Sequence, residues 1–259
     1  MRLLSIFVLG LVLALSSSSA EERNQARSMV ITRYGIVAAE HPLAAQIGAT
    51  ILSEGGNAVD AAVAANAAMG VFAPMANGIG GDLFAMVYEA KSGKLYGLNA
   101  SGWSPAGLTP AFLKSKGITW MPTNGIYSVT VPGAVDGWDA LLRRFGRKKL
   151  ATVLAPAIRY AEEGFPVTEI FASYWVASER VLRTNAEASR VFLPNGRAPR
   201  TGEIFRNPDL AWSLKQIAKR GRKAFYEGEI AKRICAGSQA HGGVMTKEDL
   251  AHFSSEWVE

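Results

Sequence analysis

Gly55-Gly56-Asn57-Ala58-Val59-Asp60-Ala61-Ala62-Val63-Ala64 is the stretch on which the fold turns. Its two glycines stop a helix opened by Pro42, whose Leu43, Ile47 and Ile51 recur on one face at four-residue spacing. Glycine does this because it takes the left-handed cap position at little cost. Asn57 then reads as the N-cap of a second helix, with Asp60 in the first turn, where a carboxylate suits the helix dipole. That helix, Ala58 to Phe72, is built largely of Ala and Val and has almost no charged face. A helix that is apolar all round is buried, and small side chains let neighbours approach closely. It is therefore expected to be the central core helix.

Working outward, Pro74 ends this helix and Asn77-Gly78-Ile79-Gly80-Gly81-Asp82 forms a glycine-rich loop. The loop has two readings. Its backbone could approach an anion or oxyanion closely, or it could be a tight turn feeding a buried strand. Leu83 to Ala90 and Lys94 to Asn99 follow as two strands joined by Lys91-Ser92-Gly93, a hairpin signal. Apolar runs at Tyr34 to Ala39 and Tyr127 to Val131 are read as further strands. Helices are expected from Thr109-Pro110, from Pro132-Gly133 to Phe145, over Leu150 to Ala161 and from Thr168. Two more start at Asn207-Pro208 and run through Ile230 and Ile234. Thr246 and Asp249 form a capping box before Leu250.

Composition bounds the class. Of the 259 residues 49% are hydrophobic and 19% charged, which excludes a disordered, highly charged chain. One Cys and three His exclude a disulfide scaffold and a Cys-rich zinc site. The net charge of +6 sits in short clusters such as Arg143-Arg144 and Arg147-Lys148-Lys149. These read as helix ends, and no aromatic interleaving or groove-reading motif accompanies them, so no nucleic-acid partner is expected. Residues 1–20 follow the pattern of a secretory signal peptide: Arg2, an apolar run from Leu3 to Leu15, then small residues to Ala20. The alternative is an uncleaved anchor, but the run of 13 residues is short for a bilayer. The expectation is a periplasmic or secreted protein with no stable membrane span, residues 21–259 being the mature domain.

The common catalytic signatures do not occur. There is no G-x-S-x-G elbow, no P-loop lysine and no H-E-x-x-H. His41, His241 and His252 are scattered, and a structural role is expected for each. Glu162-Glu163 reads as a solvated face and Cys235 as a small core residue. No metal site and no cofactor is expected. Composition and periodicity reach a secreted α/β or α+β chain and go no further.

Ordered blocks along the chain carry a resemblance. They are Ala38-Ala39 with His41-Pro42, the Gly55–Ala64 block, Gly78-Ile79-Gly80-Gly81-Asp82-Leu83-Phe84, and Val131-Pro132-Gly133-Ala134-Val135-Asp136-Gly137-Trp138. Ala161–Val167, Phe225-Tyr226-Glu227-Gly228 and Gly242–Leu250 complete the set. Together they resemble the large-subunit end of the gamma-glutamyltranspeptidase family. The resemblance implies an α+β fold, the αββα sandwich of N-terminal nucleophile hydrolases, here incomplete and restricted to a large-subunit portion. It implies a precursor that cuts itself to free a Thr, which attacks the acyl group while its α-amino group acts as base. Such a hydroxyl needs a nearby base to be a useful nucleophile. The implied substrates are small gamma-glutamyl or related acyl amides such as glutathione.

Two departures follow. No Thr-Thr-His cleavage motif occurs, and Thr123, Thr130, Thr168 and Thr184 lie in other contexts. No catalytic residue is therefore assigned, this chain alone is expected to be inactive, and a C-terminal half or small subunit is expected as partner. The resemblance also implies an Arg that grips the substrate α-carboxylate after the second hairpin strand. Here the segment reads Asn99-Ala100-Ser101-Gly102-Trp103-Ser104-Pro105, with Ser101 and Trp103 at the two places where that Arg would stand. Ser101 and Trp103 are the substrate-binding candidates. Losing the charge-assisted contact would remove about 1.5–3 kcal/mol of binding. Three functional readings result: a gamma-glutamyltransferase or amidohydrolase fragment, a cephalosporin-acylase-like amidase, and a non-catalytic truncated or split chain acting as a structural partner. An unrelated periplasmic ligand-binding protein fits the signal peptide and size but not the ordered blocks.

Overall fold

The buried Asp60 carboxylate explains why the Gly55–Ala64 block reads so specifically. In the computed structural model, which describes residues 29–258, α1 spans Pro42–Ser53 and α2 spans Ala58–Phe72. Asn57 and Asp60 form a capping box on α2. Asp60 also accepts the backbone N–H groups of Arg147 and Lys148 at 3.0 Å, and the Asn57 amide donates to the Phe145 carbonyl at 2.5 Å. The same four residues that start α2 therefore tie it to the turn between α4 (Ala134–Phe145) and α5 (Leu150–Glu163). Gly56 is required at this corner, because a Cβ there would lie 2.7 Å from the Ile51 carbonyl oxygen.

The α2 helix is the centre of the core, as its composition implied. It packs against α1, α4 and α5, and Ala61, Val63, Ala64, Ala68 and Val71 are almost wholly buried. His41 caps α1, its Nδ1 accepting from Leu43 N at 3.2 Å, and its ring lies against Phe72 and Phe171. The structural role expected of it is the one it has.

The hairpin strands are β1 (Leu83–Glu89) and β2 (Lys94–Ala100), paired antiparallel from Leu83↔Ala100 to Glu89↔Lys94. β5 (Glu256–Val258) pairs with β2 on its other side, giving the order β1-β2-β5. β3 (Phe165–Pro166) and β4 (Ile204–Phe205) form a separate two-stranded ribbon. One face of the three-stranded sheet, with Leu83, Leu98 and Ala100, is buried, and Leu83 and Ala100 meet Gly137 of α4. A Cβ at Gly137 would lie 2.9 Å from a Leu83 methyl, so only glycine permits this approach. The opposite face presents Phe84, Met86 and Tyr88 at 71%, 76% and 66% exposure.

The remaining helices are α3 (Pro110–Ser115), α6 (Glu169–Leu182), α7 (Ala186–Phe192), α8 (Pro208–Arg220), α9 (Arg222–Tyr226), α10 (Glu229–Ala240) and α11 (Lys247–His252). The Thr246–Asp249 capping box opens α11 as expected. Residues 34–258 belong to one compact unit, and the described residues 29–33, which belong to a separate N-terminal unit, carry no helix or strand. The proposed signal peptide, residues 1–20, lies outside the described residues. No described helix is long and apolar enough to cross a membrane.

Two expected strands do not form. Residues 35–39 are extended chain outside any sheet, with Val37 packed onto Gly48 of α1. Only Val37 and Ala39 of this run are partly buried, while Tyr34 and Ile36 are 63% and 66% exposed. Tyr127–Val131 is a 3₁₀ turn (Ile126–Ser128) followed by extended chain. Pro132, which follows at once, has no N–H to extend a ladder.

Candidate functional site

Four stretches far apart in sequence meet at one corner of the sheet: the glycine loop, Asn99–Trp103, Thr130–Ala134 and Phe253. The glycine loop settles as a turn. Gly81 N donates to Gly78 O at 3.2 Å, and Gly81 O accepts from Gly133 N and Ala134 N at 3.0 Å each. The loop thus offers a carbonyl to the first N–H groups of α4, which would otherwise lack acceptors. That arrangement is the turn reading; the loop's carbonyl, not a fan of N–H groups, faces the helix.

The next residue, Asp82, reaches across to the candidate segment. Its Oδ1 accepts from Gly102 N at 2.8 Å. Ser101 N donates to Asn99 Oδ1 at 2.9 Å, and Trp103 O accepts from Val131 N at 2.9 Å. The two loops touch backbone to backbone. A Cβ at Gly102 would fall 1.8 Å from Val131 O, and one at Gly133 would fall 1.9 Å from Ala100 O. Ser101 and Trp103 are consequently held in fixed positions on the same short stretch. Ser101 is half-buried, whereas Trp103 is 42% exposed with its indole tilted against Phe253 at 4.8 Å between ring centroids.

A polar network supports this corner from behind. Tyr226 donates its hydroxyl proton to Pro132 O at 2.7 Å and accepts from Asp136 N at 3.1 Å. Burial pushes the Tyr226 phenol well above its ordinary range, so it stays a donor. Arg222 bridges the Asp136 carboxylate and the Phe253 carbonyl, while the other Asp136 oxygen accepts from Ser255 N at 2.7 Å. Asp249 accepts from Ala106 N at 2.9 Å. Burial alone would raise its carboxyl, but the N–H groups of Ala106 and Thr246 and the Thr246 hydroxyl outweigh it and hold the group low. Each of these acids fastens a loop that flanks the candidate segment.

No Arg or Lys is among the residues found in contact with Gly102, Trp103 or the Gly133 turn. Arg222 reaches the same corner, but its guanidinium is committed to Asp136 and Phe253 O. Among the described residues no group of three or more His, Cys, Asp and Glu could hold a metal ion. Sequence reasoning singled out Ser101 and Trp103 but gave no role to Asp82, Asp136, Arg222, Tyr226 or Phe253. Asp82, Asp136 and Tyr226 were visible within family-like blocks; Phe253 carries no signal apart from its place after the α11 box.

The sequence profile of gamma-glutamyltranspeptidase matches residues 44–259. The chain belongs to the gamma-glutamyltranspeptidase family. It is 42% identical over 232 residues to the glutathione hydrolase-like YwrD proenzyme of Bacillus subtilis, a match covering 88% of this chain and 43% of that protein. Among solved structures it superposes on cephalosporin acylase from Bacillus halodurans with a TM-score of 0.80 and 44% identity, over 91% of this chain and 46% of that one. The gamma-glutamyltranspeptidase of Helicobacter pylori gives a TM-score of 0.84 at 34% identity, over 89% of this chain and 67% of that one. The fold is thus the N-terminal nucleophile hydrolase fold of gamma-glutamyltranspeptidases, present in part. The chain spans about two fifths of the length of the curated relatives it matches. In family terms, the corner described above is assembled from the blocks that carried the resemblance: the glycine loop, the Val131–Trp138 block and the start of β1.

Proposed function

We propose that this chain is the large-subunit portion of an amidohydrolase or acyltransferase that cleaves small acyl amides through a Thr nucleophile supplied by the remainder of the fold. The family match over residues 44–259 carries the reading. That the sequence contains no Thr-Thr-His block supports a nucleophile supplied by the remainder of the fold. Ser101 and Trp103 would line the acyl subsite, and no cofactor is called upon. Without a guanidinium at either position, the α-carboxylate of a gamma-glutamyl group lacks its bidentate grip. We therefore favour an acyl group without that carboxylate, which the 44% identity to a cephalosporin acylase supports.

The partner in this reading is the small-subunit half, and the exposed apolar face of the sheet is the surface it would cover. The leader-like residues 1–20 would direct the protein to the periplasm or outside the cell. The test is direct. The purified 259-residue chain should show no hydrolysis of acyl anilides, and activity should appear when the chain is extended through its downstream reading frame. Hydrolysis by the isolated chain would overturn the assignment of the nucleophile. A downstream frame without a Thr-led cleavage block would favour the non-catalytic, split-chain alternative.

A further inference from the structure

The charge at the candidate segment is negative. Asp82 is exposed, and among the described residues its carboxylate accepts from Gly102 N at 2.8 Å. No ion pair engages it among the described residues. The Gly102 bond uses Oδ1 and fixes the orientation of the carboxylate, leaving Oδ2 for another donor. Trp103, the next residue after Gly102, presents a partly exposed indole that Phe253 braces from one side. Arg222, which reaches this corner, is already taken up by Asp136 and Phe253 O. A carboxylate oriented by the backbone of Gly102, with an exposed aromatic side chain on the very next residue, is a combination that recognises an organic cation, the carboxylate by charge and the ring by its quadrupole.

We propose that the subsite at Ser101–Trp103 selects an acyl group bearing an ammonium, with Asp82 as its counter-charge and Trp103 as its aromatic wall. Asp82 is then a specificity-determining residue. This rests on the amidohydrolase reading above and names the substrate class of that same site. A free carboxylate on the acyl group is disfavoured twice, by the missing guanidinium and by repulsion from Asp82. The Gly102 contact gives Asp82 a structural role as well, which the conservative Asp82→Asn variant preserves because an amide oxygen can still accept from Gly102 N.

The experiment uses the chain extended through its own reading frame and self-processed. It compares kcat/KM for three anilides of similar length: 5-aminopentanoyl (cationic), pentanoyl (neutral) and glutaryl (anionic). The expected order is cationic, neutral, anionic. Asp82→Asn should lower the cationic-to-neutral ratio about tenfold, and Trp103→Leu should lower the same ratio less. A circular-dichroism melt unchanged in Asp82→Asn would show that the loop corner is intact. Turnover with a ratio unmoved by Asp82→Asn, or with the glutaryl substrate preferred, overturns this inference and leaves the amidohydrolase reading standing. Failure to turn over any acyl anilide overturns that reading and the inference with it.

Discussion

Asp60 shows how a single side chain makes a sequence block specific. It is fully buried, and its two oxygens accept the backbone N–H groups of Asn57, Arg147 and Lys148. Removing it would leave several donors buried without acceptors, each a costly loss. Asp60→Ala is predicted to lower stability by about 3 kcal/mol or more, read from urea denaturation. A loss below about 1 kcal/mol would show that water replaces the carboxylate. From the sequence, Asp60 could be placed at the start of a helix. Its second partnership, with the α4–α5 turn, could not, because those residues lie nearly ninety positions away. The same limit applied to Asp82: its residue type was legible, while its bond to Gly102 depends on how two loops are brought together.

At the scale of elements, helices were easier to read than strands. Pro42, Asn57, Thr109, Asn207 and Thr246 announced helix starts: side-chain caps precede a first-turn Pro at three of them, and capping boxes open the other two. The hairpin was equally local. The runs at Tyr34–Ala39 and Tyr127–Val131 misled because a short apolar stretch can be extended chain or a turn outside any ladder, with residues such as Ile36 and Val129 exposed. His41 supplies a prediction that belongs to α1. Its ring is buried against Phe72, and burial lowers its pKa below the ordinary 6.5. As pH falls, the unfolded chain therefore takes up the proton before the folded one. The stability that depends on the neutral ring is present above the unfolded pKa and is lost as pH drops toward the folded value. The midpoint of thermal unfolding should fall from about pH 7.5 to about pH 5.5. That slope should flatten in His41→Asn, which keeps a cap acceptor but does not titrate. An equal slope in both proteins would assign the pH dependence elsewhere.

Within residues 34–258, helices cover one face of the three-stranded sheet, and its other face is exposed among the described residues. Phe84, Met86, Tyr88, Leu95 and Val258 all face outward and are each close to half exposed or more. A contiguous apolar face of this kind drives association unless a partner covers it. The isolated chain should self-associate in sedimentation velocity, and replacing Phe84 and Met86 together with Ser should shift it toward monomer. A monodisperse monomer for the unaltered chain would contradict the view that this face is a subunit interface. The half of the fold proposed to cover it was legible only through the family resemblance, since no periodicity within the chain points to a partner sheet.

The central claim is an amide-cleaving enzyme whose acyl subsite has no grip on an α-carboxylate. The most direct measurement is kcat/KM of the extended, self-processed protein for gamma-glutamyl anilide against pentanoyl anilide. Without the guanidinium contact the gamma-glutamyl substrate should have no advantage, its ratio to the pentanoyl substrate staying at or below about one. A preference for gamma-glutamyl anilide on the order of a hundredfold, with a low KM, would contradict the account.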